Sequence, residues 1–192
     1  MDSYGRYKNA RNAAWQTLID FDVTVAPVKV VSIATAANIA ILKNSDVHEL
    51  KAGEVGISLN AGGVWYVVYD NTASRGRVRF TIAHELGHIF LGHPLMDGHH
   101  ARTIDTARPE TERDADIFAA RLLMPSCVIW GLGLHTAEEI KDVFDVSYTA
   151  AQIRAERMSV LYERNKFLTN RLEQQVFANF SGYIEAKKRG DK

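Results

Sequence analysis

Residues 79–91, RFTIAHELGHIFL, set His84, Glu85 and His88 in an H-E-x-x-H spacing. On an α-helix, residues four apart leave the same face about 5–6 Å apart at Cβ. Both imidazoles can therefore share one ion, with zinc–nitrogen bonds of roughly 2.0–2.1 Å. Glu85 points beside that pair and is not a ligand. In this arrangement its carboxylate is the base for a water whose pKa zinc lowers to about 7. The five residues thus offer two ligands and a proton acceptor, the core of a zinc hydrolase centre. The bland reading is a helix that carries the spacing by accident, and the surroundings argue against it. At about 100° per residue, Ile82, Leu86 and Ile89 form an apolar stripe opposite the histidines, while Phe80 and Leu91 flank the histidines with apolar surface. Histidines on a helix buried nearly all round need partners for their nitrogens, and a metal satisfies both at once.

A third ligand must come from elsewhere in the chain. Helix signals resume at Pro109 with PETERDADIFAARLLMP and end before Pro125, which cannot continue a helix comfortably. Ala115, Phe118, Ala119 and Leu122 make its core stripe. Extended back by one turn, the stripe reaches Glu112, with Asp116 on its edge and Glu110, Arg113, Asp114 and Arg121 outside it. Glu112 then either forms a salt bridge in a first turn that favours acidic residues, or completes a His, His, Glu set with an open position for water. Small residues at 115, 119 and 120 permit the close helix approach that shared coordination demands. The competing metzincin pattern needs a glycine at the eighth place and a histidine at the eleventh. Those places hold Leu91 and Pro94, and Gly92 and His93 are each off by one in opposite directions. A carboxylate on a core-facing stripe must be compensated, so Glu112 rather than a nearby histidine is expected to finish the site.

The elements that position these residues follow from patterning. Residues 4–21 carry Trp15, Leu18, Ile19 and Phe21 at helical spacing, an amphipathic first helix without chemistry of its own. Residues 23–42 are the most apolar run. Pro27, Lys29, Ser32, Thr35 and Asn38 interrupt it too often for a membrane span, so a buried helix starting near Pro27 is expected. From 44 to 70 the pattern turns to β, with runs at 55–59 and 64–69 separated by Asn60-Ala61-Gly62-Gly63, a hairpin in a small sheet. Residues 92–108, with His93, His99 and His100, read as a loop and a candidate rim of the substrate cleft. Beyond Pro125, Thr136 and Glu139 form a capping box for a helix through Phe144, and a second helix runs from about Tyr148 to Arg164. The pair resembles a helix-turn-helix. Arg154, Arg157 and Arg164 offer a possible phosphate surface, but Glu156 and Glu163 dilute it, so a structural or partner-binding pair is expected. Leu168, Leu172, Val176 and Phe180 suit a last helix, followed by a frayed basic tail from 185.

The whole composition bounds the partners. Lys+Arg and Asp+Glu both total 23 in 192 residues, so no basic field marks nucleic acid as the principal partner, and DNA binding is not expected. The single cysteine, Cys127, forms neither an internal disulfide nor a thiolate metal site. Residues 1–22 carry charges throughout and no apolar core of a secretory signal, so the cytoplasm is the expected compartment.

The combination RFTIAHELGHIFLGH followed by ERDADIFAARLLMP resembles the ImmA/IrrE family of zinc metallopeptidases, a gluzincin-like group whose catalytic helix pair is similar to that of thermolysin. The close match covers about residues 64–125. The resemblance implies that His84 and His88 bind zinc, that Glu85 is the general base, that Glu112 is the third ligand, and that Asp116 orients a metal-bound histidine. It also implies an intracellular protein, of a kind often carried by bacteria, phages or mobile elements, that cleaves a helix-turn-helix repressor and switches on the genes it silences.

The expected fold is α+β: a thermolysin-like minimal metallopeptidase core over residues 1–125 and a helical extension over 126–192, with no membrane contact. Tyr66, Tyr69, Arg79, His93 and His99 are the candidates for stabilising an oxyanion. The rival reading is a regulatory protein that binds a partner without hydrolysing it. An intact H-E-x-x-H argues against that, because a pure binder has no need of Glu85.

Overall fold

The structure, a computed structural model, describes residues 3–94, 99–102 and 109–190. It is α+β, with a four-stranded sheet and, among the described residues, nine helices. The chain forms two compact units, Met1–Ala13 with Lys29–Ala119 and Ala14–Val28 with Ala120–Lys192. The later boundary falls six residues before position 125, where the sequence suggested one, and the first helix contributes residues to both units.

The first unit holds the start of α1 (Ser3–Asp20), then α2 (Val30–Ala36), β1 (Ile39–Lys43), α3 (Asn44–Val47), β2 (Gly56–Ala61), β3 (Val64–Tyr69), α4 (Arg75–Phe90), β4 (His99–Arg102) and most of α5 (Glu110–Leu123). The sheet order is β1-β3-β2-β4. β1 runs parallel to β3, and β2 pairs antiparallel with both β3 and β4. The hairpin falls where the glycines put it. Gly62 and Gly63 have φ of 60° and 83°, and the Asn60 side chain accepts the Gly63 N–H at 3.2 Å, as a tight two-residue turn requires.

Two expectations about this unit fail. The apolar run 23–42 is not one helix starting near Pro27. It divides into the short α2 and the strand β1, broken at Asn38, whose φ of 57° stops the helix. A short apolar run has no period that separates strand from buried helix. The partner strand β3 decides, pairing Ile39 with Trp65 through to Lys43 with Tyr69. The stretch 92–108 is also not simply a loop, because His99–Arg102 adds β4 to the edge of β2, pairing Leu59 with His99 and Gly56 with Arg102. Residues 95–98 and 103–108 of that stretch lie outside the described residues. The amphipathic first helix does form, and Arg6 ties it to α5 through ion pairs with Glu110 at 3.0 Å and Asp114 at 3.5 Å.

The second unit contains α6 (Ser126–Leu132), α7 (Ala137–Phe144), α8 (Tyr148–Glu163) and α9 (Arg171–Arg189). α6 went unforeseen: Pro125 ends α5 and serves as the N-cap of the next helix. The capping box at Thr136 and Glu139 forms as expected. Arg154 is not available to phosphate. It is buried, and its Nε donates to the Met124 carbonyl at 3.0 Å. On α9 the buried stripe is Val176, Phe180 and Ile184, with Glu173 accepting a hydrogen bond from the Ser126 hydroxyl at 3.1 Å. Leu168 lies before the helix with a φ of 55°, and the helix continues through the expected tail to Arg189, where Gly190 caps it. Gly131 on α6 lets α9 close in, since a Cβ there would lie 2.8 Å from both Ile184 Cδ1 and Phe177 Cε2. The stretch Glu110–Leu132 is long and apolar enough to cross a membrane by composition, but 72% of its apolar window is buried inside the protein.

Candidate metal centre

α4 carries the H-E-x-x-H residues through its most enclosed stretch, where every residue from Thr81 to His88 is buried. α5 comes against it at a point set by two small residues. A Cβ on Gly87 would lie 3.2 Å from the Ala115 Cα and 3.1 Å from Phe118 Cδ1. With helices this close, Glu112 reaches across from the first turn of α5. Its Oε2 lies 3.3 Å from His84 Nε2, its Oε1 lies 3.1 Å from His88 Nε2, and the two Nε2 atoms are 3.1 Å apart. One ligand atom from each of the three side chains falls within 4.8 Å of the other two. Among the described residues this is the group of His, Cys, Asp and Glu gathered tightly enough to hold an ion.

The electrostatics match that use. Burial lowers the pKa of His88, partly opposed by its hydrogen bond with Glu112, so the ring is neutral and keeps a lone pair for an ion. Burial alone would raise the Glu112 carboxyl, but hydrogen bonding with the His84 and His88 rings holds it well below the usual carboxylate range. A neutral His88 and an ionised Glu112 are in the protonation states that metal binding needs. Two buried imidazole nitrogens forced within 3.1 Å of each other, with a carboxylate facing both, fit a divalent cation between them.

Asp116 lies one turn beyond Glu112, with Oδ1 2.9 Å from Nδ1 of His84, the nitrogen turned away from the other ligands. Glu85 is fully buried on the same turn of α4, and β2 covers it. A Cβ on Gly56 would collide with Thr81 Cγ2 and lie 3.1 Å from Glu85 Oε1. Residues directly opposite in an antiparallel pair share a face. Tyr69, opposite Gly56, therefore stands on the sheet face that meets α4, and Tyr66, opposite Leu59, on the other face. Arg79 is half-buried on α4. His93 lies against a histidine of the ligand set. Its Nδ1 lies 3.0 Å from Nδ1 of His88, behind the ligand set. The His99 side chain lies outside the described residues. The contact of His93 with His88 is not apparent in the sequence, although Gly92 directly before it carries a helix-end signal that points to it.

Two histidines one helical turn apart, a glutamate from a second helix and a small sheet over the first helix are the arrangement that H-E-x-x-H metallopeptidases share. The profile of the peptidase family described as the IrrE N-terminal-like domain matches residues 35–156, and the chain belongs to that family. It is also 36% identical over 108 residues to the radiation response metalloprotease IrrE of Deinococcus radiodurans. That alignment covers 49% of this chain and 33% of the relative, so the chain matches about a third of the relative's length.

Proposed function

We propose that this protein is a zinc-dependent endopeptidase of the cytoplasm whose substrate is a helix-turn-helix repressor, so that its action derepresses the genes the repressor silences. The observation that carries the peptidase reading is the convergence of His84 Nε2, His88 Nε2 and both Glu112 oxygens beside the buried Glu85. Zinc suits a set of two imidazoles and a carboxylate. His84, His88 and Glu112 would hold the ion, which supplies Lewis acidity towards a peptide carbonyl and lowers the pKa of a water. Glu85 takes the proton of the attacking water and passes it to the leaving amine. Asp116, bonded to Nδ1 of His84, fixes the ring and would leave Nε2 to hold the ion. Kinship supports the repressor as substrate, with a setting in bacterial or mobile-element transcription control.

The test is to incubate zinc-loaded protein and its Glu85→Gln variant with repressors encoded nearby and to seek fragments by mass spectrometry. Cleavage by the parent and not by the variant is the expected result. Capture of a repressor without fragments from either protein would select the rival, a non-hydrolytic binding protein. Equal cleavage by both would overturn the role of Glu85.

A further inference from the structure

The two histidines of the centre are not supported alike. His84 has the Asp116 carboxylate behind it, whereas His88 has a third imidazole. We infer that His93 is a positioning residue for His88, delivered by the helix cap at Gly92, and that its ring accepts the His88 Nδ1–H. This rests on the reading of the site as a metal centre.

The backbone delivers the ring. At the end of α4 the His93 N–H bonds to the His88 carbonyl at 3.0 Å and the Gly92 N–H to the Ile89 carbonyl at 3.1 Å. Gly92 has a φ of 65°. These are the paired bonds and left-handed residue of a Schellman cap, which turns the chain back over its own last turn. The residue after the glycine therefore falls over the residue five places before it, and here that residue is a ligand. The ring centroids of His88 and His93 are 5.0 Å apart, edge to face.

Proton accounting then sets the roles. His88 Nε2 faces Glu112 Oε1 and His84 Nε2 and must keep its lone pair to act as a ligand. A neutral imidazole with a free Nε2 carries its proton on Nδ1. The group 3.0 Å from that proton's nitrogen is His93 Nδ1, which accepts it and so carries its own proton on Nε2. One ligand ring thus leans on an anion and the other on a neutral acceptor.

The test compares the parent, His93→Ala and His93→Asn by zinc competition against a chromophoric chelator, with the melting of each apo protein as a check on folding. An asparagine oxygen can stand near the place of Nδ1. We expect His93→Ala to bind zinc about 10–100-fold more weakly, the usual cost of losing such a partner, and His93→Asn to recover most of the loss. In nitrogen-15 spectra of the zinc form, the His88 Nδ1–H should exchange slowly in the parent and fast in His93→Ala. Unchanged affinity in His93→Ala would overturn the inference while leaving the metal centre standing. Equal weakening in both variants, with apo melting intact, would overturn the acceptor role. A parent that binds no zinc would remove the metal centre and this inference together.

Discussion

Gly87 and Ala115 meet with almost no material between their helices: a Cβ on Gly87 would lie 3.2 Å from the Ala115 Cα and 3.3 Å from its carbonyl oxygen. The spacing of α4 and α5 therefore depends on a hydrogen atom at position 87, and Glu112 reaches the histidines only because of that spacing. Alanine at 87 would gain up to about 1 kcal/mol of helix propensity, yet the backbone of α5 would have to yield. We expect Gly87→Ala to weaken zinc binding and Gly87→Val to abolish it, as read by isothermal titration. Parent-like affinity in Gly87→Val would show that the helix contact does not set the site.

Asp116→Ala removes the acceptor 2.9 Å from His84 Nδ1. The expected result is a 10–100-fold rise, roughly, in the zinc dissociation constant with little change in apo melting, since Asp116 is half-buried. An unchanged titration would remove its role.

Gly56→Ala separates base from ligands. The added methyl group presses on Thr81 and on Glu85 Oε1 and lies on the side of the helix that β2 covers. Zinc affinity should hold while turnover of a cleaved substrate falls, by about 100-fold if Glu85 moves 1 Å. Loss of zinc binding in step with turnover would show that β2 supports the ligands as well.

Cys127 should be inert in the folded protein. Burial, with the nearby Glu173 charge, pushes its thiol up to about 12. A raised thiol pKa favours the protonated, unreactive form until pH rises towards that value, so at pH 8 about one molecule in ten thousand carries the thiolate. Reaction with a disulfide reagent should wait on unfolding, and rapid labelling of native protein at pH 8 would contradict the burial.

The residues of the centre were legible in the sequence because the chemistry constrains them twice. His84, Glu85 and His88 have a spacing that a metal requires, and Glu112 lies on a stripe whose other members are apolar. β1 was hidden because an apolar run such as 39–43 has no period, and only the distant strand β3 makes it extended. β4 was hidden because its four residues belong to the sheet through β2 alone. Arg154 showed the reverse. Its charge suggested a surface, while in the fold it serves the Met124 carbonyl from within. His93 is one place off the metzincin ligand pattern, and its contact with His88 follows instead from a helix cap.

The chain has one thiol and so cannot tie itself with an internal disulfide. Coordination of one ion by His84 and His88 on α4 and by Glu112 on α5 would be a cross-link of another kind, closing the chain between residues 88 and 112 into a ring. A cross-link narrows the unfolded ensemble as well as joining the folded parts, and an ion that binds only the folded state adds stability with its concentration. Loading the centre should therefore slow hydrogen exchange along both helices, far from the ligands themselves. The ion that serves the chemistry would also be the fastener of the helix pair that holds it.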